Sequence, residues 1–132
     1  MPEITGIHHI ALPAADALNS GEWYERVLGF SRLLVEEEED RVSSVALEHP
    51  SRIVLFLHQV DEGFQAWEDF AAFALEVPDH DALKQWEHRL TLHQVEHSGV
   101  RPAHLGWVLD LAAPDGFRIQ LHTRPLVSSD DV

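Results

Sequence analysis

The sequence predicts an α+β domain made of two βαβββ modules. Three observations carry that prediction. Strand-like alternation and helix-like spacing follow one another in the same order twice along the 132 residues; the two strand-to-helix junctions repeat each other's residues; and the composition is that of a packed chain. A chain of this length fits one domain, residues 1–132, and buries roughly two-thirds of its unfolded surface. A hydrophobic share of 45% and a charged share of 24% are ordinary for a globular protein, so a packed core is expected rather than disorder.

The first module is predicted over residues 4–60. Residues 4–12 combine β-branched side chains with alternation and read as a strand, closed by Pro13 because proline lacks the ladder donor. Asp16 has the chemistry of a helix N-cap. Leu18, Trp23, Val27 and Leu28 then recur near helical spacing, giving a helix over residues 17–28 with Gly29 as its stop. Three strands follow at residues 30–37, 41–48 and 52–60, separated by the acidic run 36–40 and by His49-Pro50-Ser51. Residues 61–69 lack a strand pattern and serve as the linker.

The second module, residues 70–124, repeats the order. Residues 70–77 read as a strand closed by Pro78, residues 81–92 as a helix, and residues 93–98, 104–112 and 117–123 as three strands. Pro114-Asp115-Gly116 suits the last turn. The tail from Pro125 is polar and acidic.

Self-similarity supports the duplication independently. Pro13-Ala14-Ala15-Asp16-Ala17-Leu18 matches Pro78-Asp79-His80-Asp81-Ala82-Leu83 at an offset of 65, and Trp23-x-x-Arg26 matches Trp86-x-x-Arg89 at an offset of 63. Two copies of so long a period mean a duplicated module rather than a solenoid.

Composition also excludes several functions. There is no cysteine, hence no disulfide and no thiolate metal site. The net charge of −14 repels phosphate backbones and anionic lipid, so neither nucleic acid nor membrane is an expected partner. The same field favours cationic ligands, although an acidic surface also simply keeps a protein soluble. No signal peptide and no run of ~20 apolar residues is visible, and a cytoplasmic location is the default expectation. No serine elbow and no phosphate loop is present.

Several stretches resemble one family. Gly6-Ile7-His8-His9-Ile10-Ala11-Leu12, Asp16, Trp23-Tyr24-Glu25-Arg26-Val27-Leu28-Gly29-Phe30 and Ala113-Pro114-Asp115-Gly116-Phe117-Arg118-Ile119-Gln120 are similar to the vicinal-oxygen-chelate superfamily. That group includes glyoxalase I, extradiol dioxygenases, fosfomycin-resistance transferases and bleomycin-resistance binding proteins. The resemblance covers residues 4–124 and implies two βαβββ modules whose mixed sheets curl into one cup with helices outside. It also implies a homodimer. It is specific for fold and weak for activity, because the scaffold hosts many chemistries.

In metal-dependent members, the resemblance implies a histidine on the first strand of each module and a glutamate on the final strand. Imidazole and carboxylate suit Fe, Mn, Ni or Zn and leave positions open for substrate oxygens. His9 matches the first position, since alternation sets Ile7, His9 and Ala11 on one face and His8, Ile10 and Leu12 on the other. The second aligns with Ala72, or with Phe70 or Ala74 after a slip by two. A slip by one gives Ala71, Phe73 or Leu75, and none of these residues ligates. The glutamate aligns with Gln120, a weaker ligand. Where four-ligand relatives use a glutamate on the last strand of the first module, this chain offers Leu55 or Leu57.

The expectation is therefore a small-molecule pocket without the usual metal, its ligand a cationic or aromatic compound. The predicted ligand-binding residues are His9, His58, Trp107, Arg118, Gln120 and His122. A metal-dependent lyase, isomerase or dioxygenase is the alternative, with His9 and Gln120 as ligands, as is a metal-free enzyme using His9 or His122 as general base. Trp107 reads either as core or as a stacking surface. His97 and His104 either line the cup or are structural; His80, His88 and His93 are expected at the surface, and Trp23 and Trp86 in helix packing.

Overall fold

In the computed structural model, residues 1–60, 70–104 and 106–123 are described. The chain divides into two compact units, Met1–Gln65 and Ala66–Val132. The predicted linker and tail lie outside the described residues.

The first unit runs β1 (Ile10–Ala14), α1 (Ala17–Trp23), a π turn (Tyr24–Leu28), β2 (Ser31–Glu38), β3 (Arg41–His49) and β4 (Ile53–Gln59). Its sheet has the order β1-β4-β3-β2, with β1 parallel to β4 and the other pairs antiparallel. The first strand differs from the prediction at both ends: it begins at Ile10, and it runs through Pro13, which sits opposite His58. Proline is tolerated there because β1 is an edge strand, where a missing donor costs no ladder bond. Asp16 caps α1 as expected, its Oδ1 accepting the Asn19 N–H at 3.1 Å. Gly21 lets the helix approach the sheet, since a Cβ there would stand 3.2 Å from Val45 Cγ1. Val45, Leu47, Leu55 and Leu57 form the sheet's buried face, with Tyr24 and Val27 among the other fully buried side chains and Leu28 buried beside them in sequence.

The second unit runs β5 (Phe70–Val77), α2 (His80–Leu92), β6 (Arg101–Ala103), β7 (Gly106–Ala112), a 3-10 turn (Pro114–Gly116) and β8 (Phe117–Thr123). Its sheet repeats the pattern, β5-β8-β7-β6 with β5 parallel to β8. Asp79 caps α2 by accepting the Ala82 N–H at 2.9 Å. The strand predicted at residues 93–98 does not form. The His93 and Val95 N–H groups instead close the end of α2 on the Arg89 and Leu90 carbonyls, and only His97 makes an isolated bridge, to Leu111. The paired strand comes later, as β6.

Both units therefore have the βαβββ order, two mixed four-stranded sheets with few helices. Among the described residues, no helix is long and apolar enough to cross a membrane. In the second unit, Leu109, Leu111, Ile119 and Leu121 make a fully buried sheet face, and Leu83 and Leu90 of α2 are likewise fully buried. The opposite face of the same sheet is left for other work.

Candidate functional site

Strand β8 alternates strictly. Phe117, Ile119, Leu121 and Thr123 are buried, while Arg118, Gln120 and His122 between them are half-buried on the other face. Register carries that open face to the neighbouring strands: Gln120 pairs with Asp110 on β7 and with Ala74 on β5, and His122 pairs with Val108 and Glu76. The structure thus brings together three of the predicted site residues, and adds Asp110 and Glu76. Asp110 was readable as the one charged residue within the apolar run Trp107-Val108-Leu109-Asp110-Leu111. A lone acid on a strand flanked by core residues must face away from that core or be paired.

Asp110 is paired with arginine on both sides. Arg101 Nη2 stands 2.5 Å from its Oδ2, and Arg118 Nε stands 4.0 Å from its Oδ1. Burial pushes the Asp110 carboxyl up, but hydrogen bonding from Arg101 and Gln120 and the two guanidinium charges outweigh it and hold the group below its ordinary value. The carboxylate is ionised at neutral pH. Asp110 Oδ1 and Arg118 Nε are both buried, and neither has a hydrogen-bond partner within the protein. Asp110 and Arg118 line a cleft of about 460 Å³ together with Glu96, His97, Ser98, Ala112, Gly116 and Phe117.

The wall of this cleft is held from α2. Thr91 Oγ1 lies 2.8 Å from His97 Nε2, and the Gly99 N–H donates to His97 Nδ1 at 3.0 Å. Because Nδ1 accepts, Nε2 carries the proton. Both ring nitrogens of His97 are thus engaged in holding the loop, which is the structural reading of that residue. His104 is exposed in the turn after β6. His122 has the other tautomer: its Nδ1–H donates to the Thr123 carbonyl at 2.7 Å, which leaves Nε2 as an acceptor on the open face.

Trp107 lies on the opposite side of its sheet from Gln120. It follows the alternation of Leu109 and Leu111, stands against His80 with ring centroids 4.6 Å apart, and remains 40% exposed. Of the other histidines expected at the surface, His88 is exposed and His80 and His93 are half-buried; Trp23 and Trp86 are also half-buried on their helices.

In the first unit, His9 is exposed just ahead of β1 rather than within it, and its Nδ1 lies 2.9 Å from His8 Nδ1. Its ring meets Phe56 at 4.8 Å, and Phe56 in turn stacks near His58 at 6.1 Å. These three rings form a row on the open face of the first sheet. Leu55 and Leu57, expected at the position that corresponds to Gln120, are buried in the core. Strand alternation gives that position to Phe56 instead.

The donors present do not fit the metal set that the resemblance implies. Gln120 offers a neutral amide and supports an aspartate already shared by two arginines, whose charges oppose a nearby divalent cation. On β5, Ala74 faces Gln120, and Ala72 lies in the register shift between Ala71 and Phe73. Among the described residues, no group of three histidine, aspartate or glutamate side chains is placed to hold an ion.

A family model described as "Glyoxalase/Bleomycin resistance protein/Dioxygenase superfamily" matches residues 6–121. The chain belongs to this superfamily. Among solved structures, a glyoxylase/bleomycin resistance protein/dioxygenase domain from Frankia sp. EAN1pec superposes with a TM-score of 0.79 at 18% identity, covering 92% of this chain and 98% of that one. TnmS3, an antibiotic binding protein from Streptomyces sp. CB03234, superposes at 0.75 with 18% identity, covering 95% and 99%. A Bacillus subtilis (strain 168) protein named "Putative ring-cleaving dioxygenase MhqA" is 26% identical over 106 residues, which is 74% of this chain and 34% of that protein. The chain spans about a third of the length of that relative. Both solved structures establish the shared fold, on which members of this superfamily place different chemistries.

Proposed function

We propose that this superfamily member binds a small, uncharged organic molecule on the open face of its second unit, without the divalent metal that many relatives use. The observation that carries this reading is a cleft of about 460 Å³, a volume suited to a small ligand, lined by Asp110 and Arg118, with Gln120 and His122 further along the same face of β8.

The antibiotic-binding role of TnmS3 on the same scaffold supports a binding function. The charge of −14 favours cations in general, but Arg101 and Arg118 flank Asp110 at this cleft, so a cationic aromatic compound is the less favoured occupant. A homodimer in solution is part of the same reading and is checked by light scattering. Amide chemical-shift mapping against uncharged and cationic aromatic fragments tests the site. Shifts at residues 96–98 and 110–118 are expected. If no fragment moves them at high micromolar concentration, this reading fails.

A second reading rests on one observation, the bare Nε2 of His122 facing the open side of the sheet. That atom is placed to take a proton, which suits metal-free acid–base chemistry in a lyase or isomerase. The donors here do not fit the metal set that the resemblance implies, so the ring-cleaving role in the Bacillus protein's name is not carried over to this chain. Turnover that survives chelation and is lost in His122→Asn supports the second reading.

A further inference from the structure

His97 sits at the cleft wall with its protonation state fixed from both sides. The Gly99 N–H can only donate, so the His97 Nδ1 that it meets at 3.0 Å accepts. On the other side, the Thr91 hydroxyl gives its proton to the Glu87 carbonyl at 3.0 Å, so its oxygen accepts from His97 Nε2 at 2.8 Å. Only a neutral ring with its proton on Nε2 satisfies both partners. From the ring, bonds run on into the cleft: the Gly99 carbonyl accepts from Ser98 Oγ at 2.8 Å, and Ser98 Oγ accepts the Asp110 N–H at 3.0 Å. His97, Ser98 and Asp110 all line the cleft. The ring is half-buried, so water reaches it.

We infer that His97 is a proton-operated latch on this cleft: the neutral ring holds the turn 97–99 closed, and the protonated ring releases it. Uptake of a proton turns Nδ1 from acceptor into donor, and two N–H groups then face each other across the Gly99 contact. The Nε2 bond to Thr91 is unaffected, because Nε2 donates in both forms. Helix α2 therefore keeps the ring while the turn lets go. Gly99, at φ +75°, has no side chain to retain that shape once its N–H is freed, and Ser98 moves with it. The charged groups around the ring are Lys84 and Glu87, in the same row of α2 as Thr91, and Glu96, Asp110 and Arg118, which line the cleft. Leu111, opposite His97 on β7, is apolar. Glu87 accepts the Val100 N–H at 2.9 Å, and a cationic His97 favours that carboxylate, so the release stops at Gly99 and leaves Val100 in place.

The regulatory role rests on the binding reading above; the release of the turn does not, and ligand-free protein decides it. Nitrogen–nitrogen coupling across the bond from Gly99 N–H to His97 Nδ1 is measured while the pH is lowered, with the His97 ring followed through its own carbon-bound proton shifts. The coupling should vanish in step with the titration of the ring. Gly99 amide protection, taken relative to the intrinsic exchange rate at each pH, should fall about tenfold over that step, the weight of one hydrogen bond. Val100 should keep its protection until Glu87 in turn takes up a proton. His97→Asn offers an amide oxygen in place of Nδ1 and does not titrate, so Gly99 protection there should not change; unaltered Leu109 and Leu111 amide shifts report an intact fold. A Gly99 bond that outlasts the titration of His97 overturns the latch, as does an equal loss in His97→Asn. Uncharged aromatic fragments are then titrated on both sides of the step. Those that move residues 96–98 should bind more weakly on the acid side in the wild type, by up to the same factor, and equally on both sides in His97→Asn. Equal affinity on both sides in the wild type removes the regulation and leaves the binding reading standing. If no fragment moves residues 96–98 or 110–118 on either side, the binding reading falls and takes the regulatory role with it.

Discussion

Arg101 and Asp110 are joined across the second sheet: the guanidinium Nη2 of the edge strand β6 stands 2.5 Å from the carboxylate Oδ2 on β7. That contact ties the short strand Arg101–Ala103 to the residue that stands opposite Gln120. Burial alone would raise the Asp110 carboxyl. The two arginines and Gln120 lower it instead, below its ordinary value of 3.8.

The sign of the resulting pH dependence follows. A carboxyl depressed in the folded state contributes stability that is present above its unfolded value, near 3.8, and is lost as pH falls through the lower folded value. Carboxyl carbon shifts should therefore show Asp110 titrating below the ordinary aspartate range. In Arg101→Met its midpoint should rise, and the acid limb of the stability curve should flatten. An unchanged midpoint in the variant would show that Arg101 does not hold the charge.

Ile119 and Gln120 are sequence neighbours on opposite faces of β8, the first fully buried and the second half-buried. Ile119→Ala should cost 2–5 kcal/mol on the order usual for a core aliphatic residue. Gln120→Ala should stay within about 1 kcal/mol in stability and should act on ligand affinity. Paired urea melts of the two variants check this. A reversal of the two costs would invert the face assignment and, with it, the site.

Much of this was legible beforehand for a plain reason. Helix caps and strand alternation are local, so Asp16 and the row Arg118, Gln120 and His122 were predictable from short windows, whereas the second cap is Asp79, two residues before the Asp81 at which that helix was expected to begin. The errors came where non-local pairing decides. Pro13 remains in β1 because that strand lies at a sheet edge, which no local pattern shows. Residues 93–98 alternate like a strand, yet their first N–H groups are spent closing α2. Leu55 and Leu57 differ from Phe56 only by a one-residue register, which turns every side chain to the other face. Asp110 was overlooked because its partners Arg101 and Arg118 come from different strands.

The cleft wall gives a further prediction. Glu87 on α2 accepts the Val100 N–H at 2.9 Å, and this bond is the main cause of its lowered carboxyl; burial opposes it, while Lys84 and His97 help. Gly99 beside it has φ +75°, and a Cβ there would meet Glu87 Oε2 at 3.4 Å. Gly99→Ala should cost about 1–2 kcal/mol for the left-handed backbone. Glu87→Ala should speed hydrogen exchange at the Val100 amide by about tenfold, as expected for one lost bond. The protection of the same amide, relative to its intrinsic exchange rate at each pH, should fall in the wild type as pH drops through the lowered Glu87 value. If the Val100 amide exchanges alike in Glu87→Ala and wild type, α2 does not hold the cleft wall.

The tautomer of His122 is the last point to test, because the second functional reading depends on it. Its Nδ1 lies 2.7 Å from the Thr123 carbonyl, which can only accept, so Nδ1 carries the proton and Nε2 is bare in the neutral ring. Two-bond nitrogen–proton correlations of the neutral ring should show a protonated Nδ1. His122→Asn keeps a donor near the Nδ1 position and removes Nε2, so stability should change by less than about 0.5 kcal/mol, as for a surface substitution. Any proton-transfer turnover should disappear in that variant, while fragment-induced shifts at residues 96–98 and 110–118 should persist. Retained turnover in His122→Asn would remove His122 as the base.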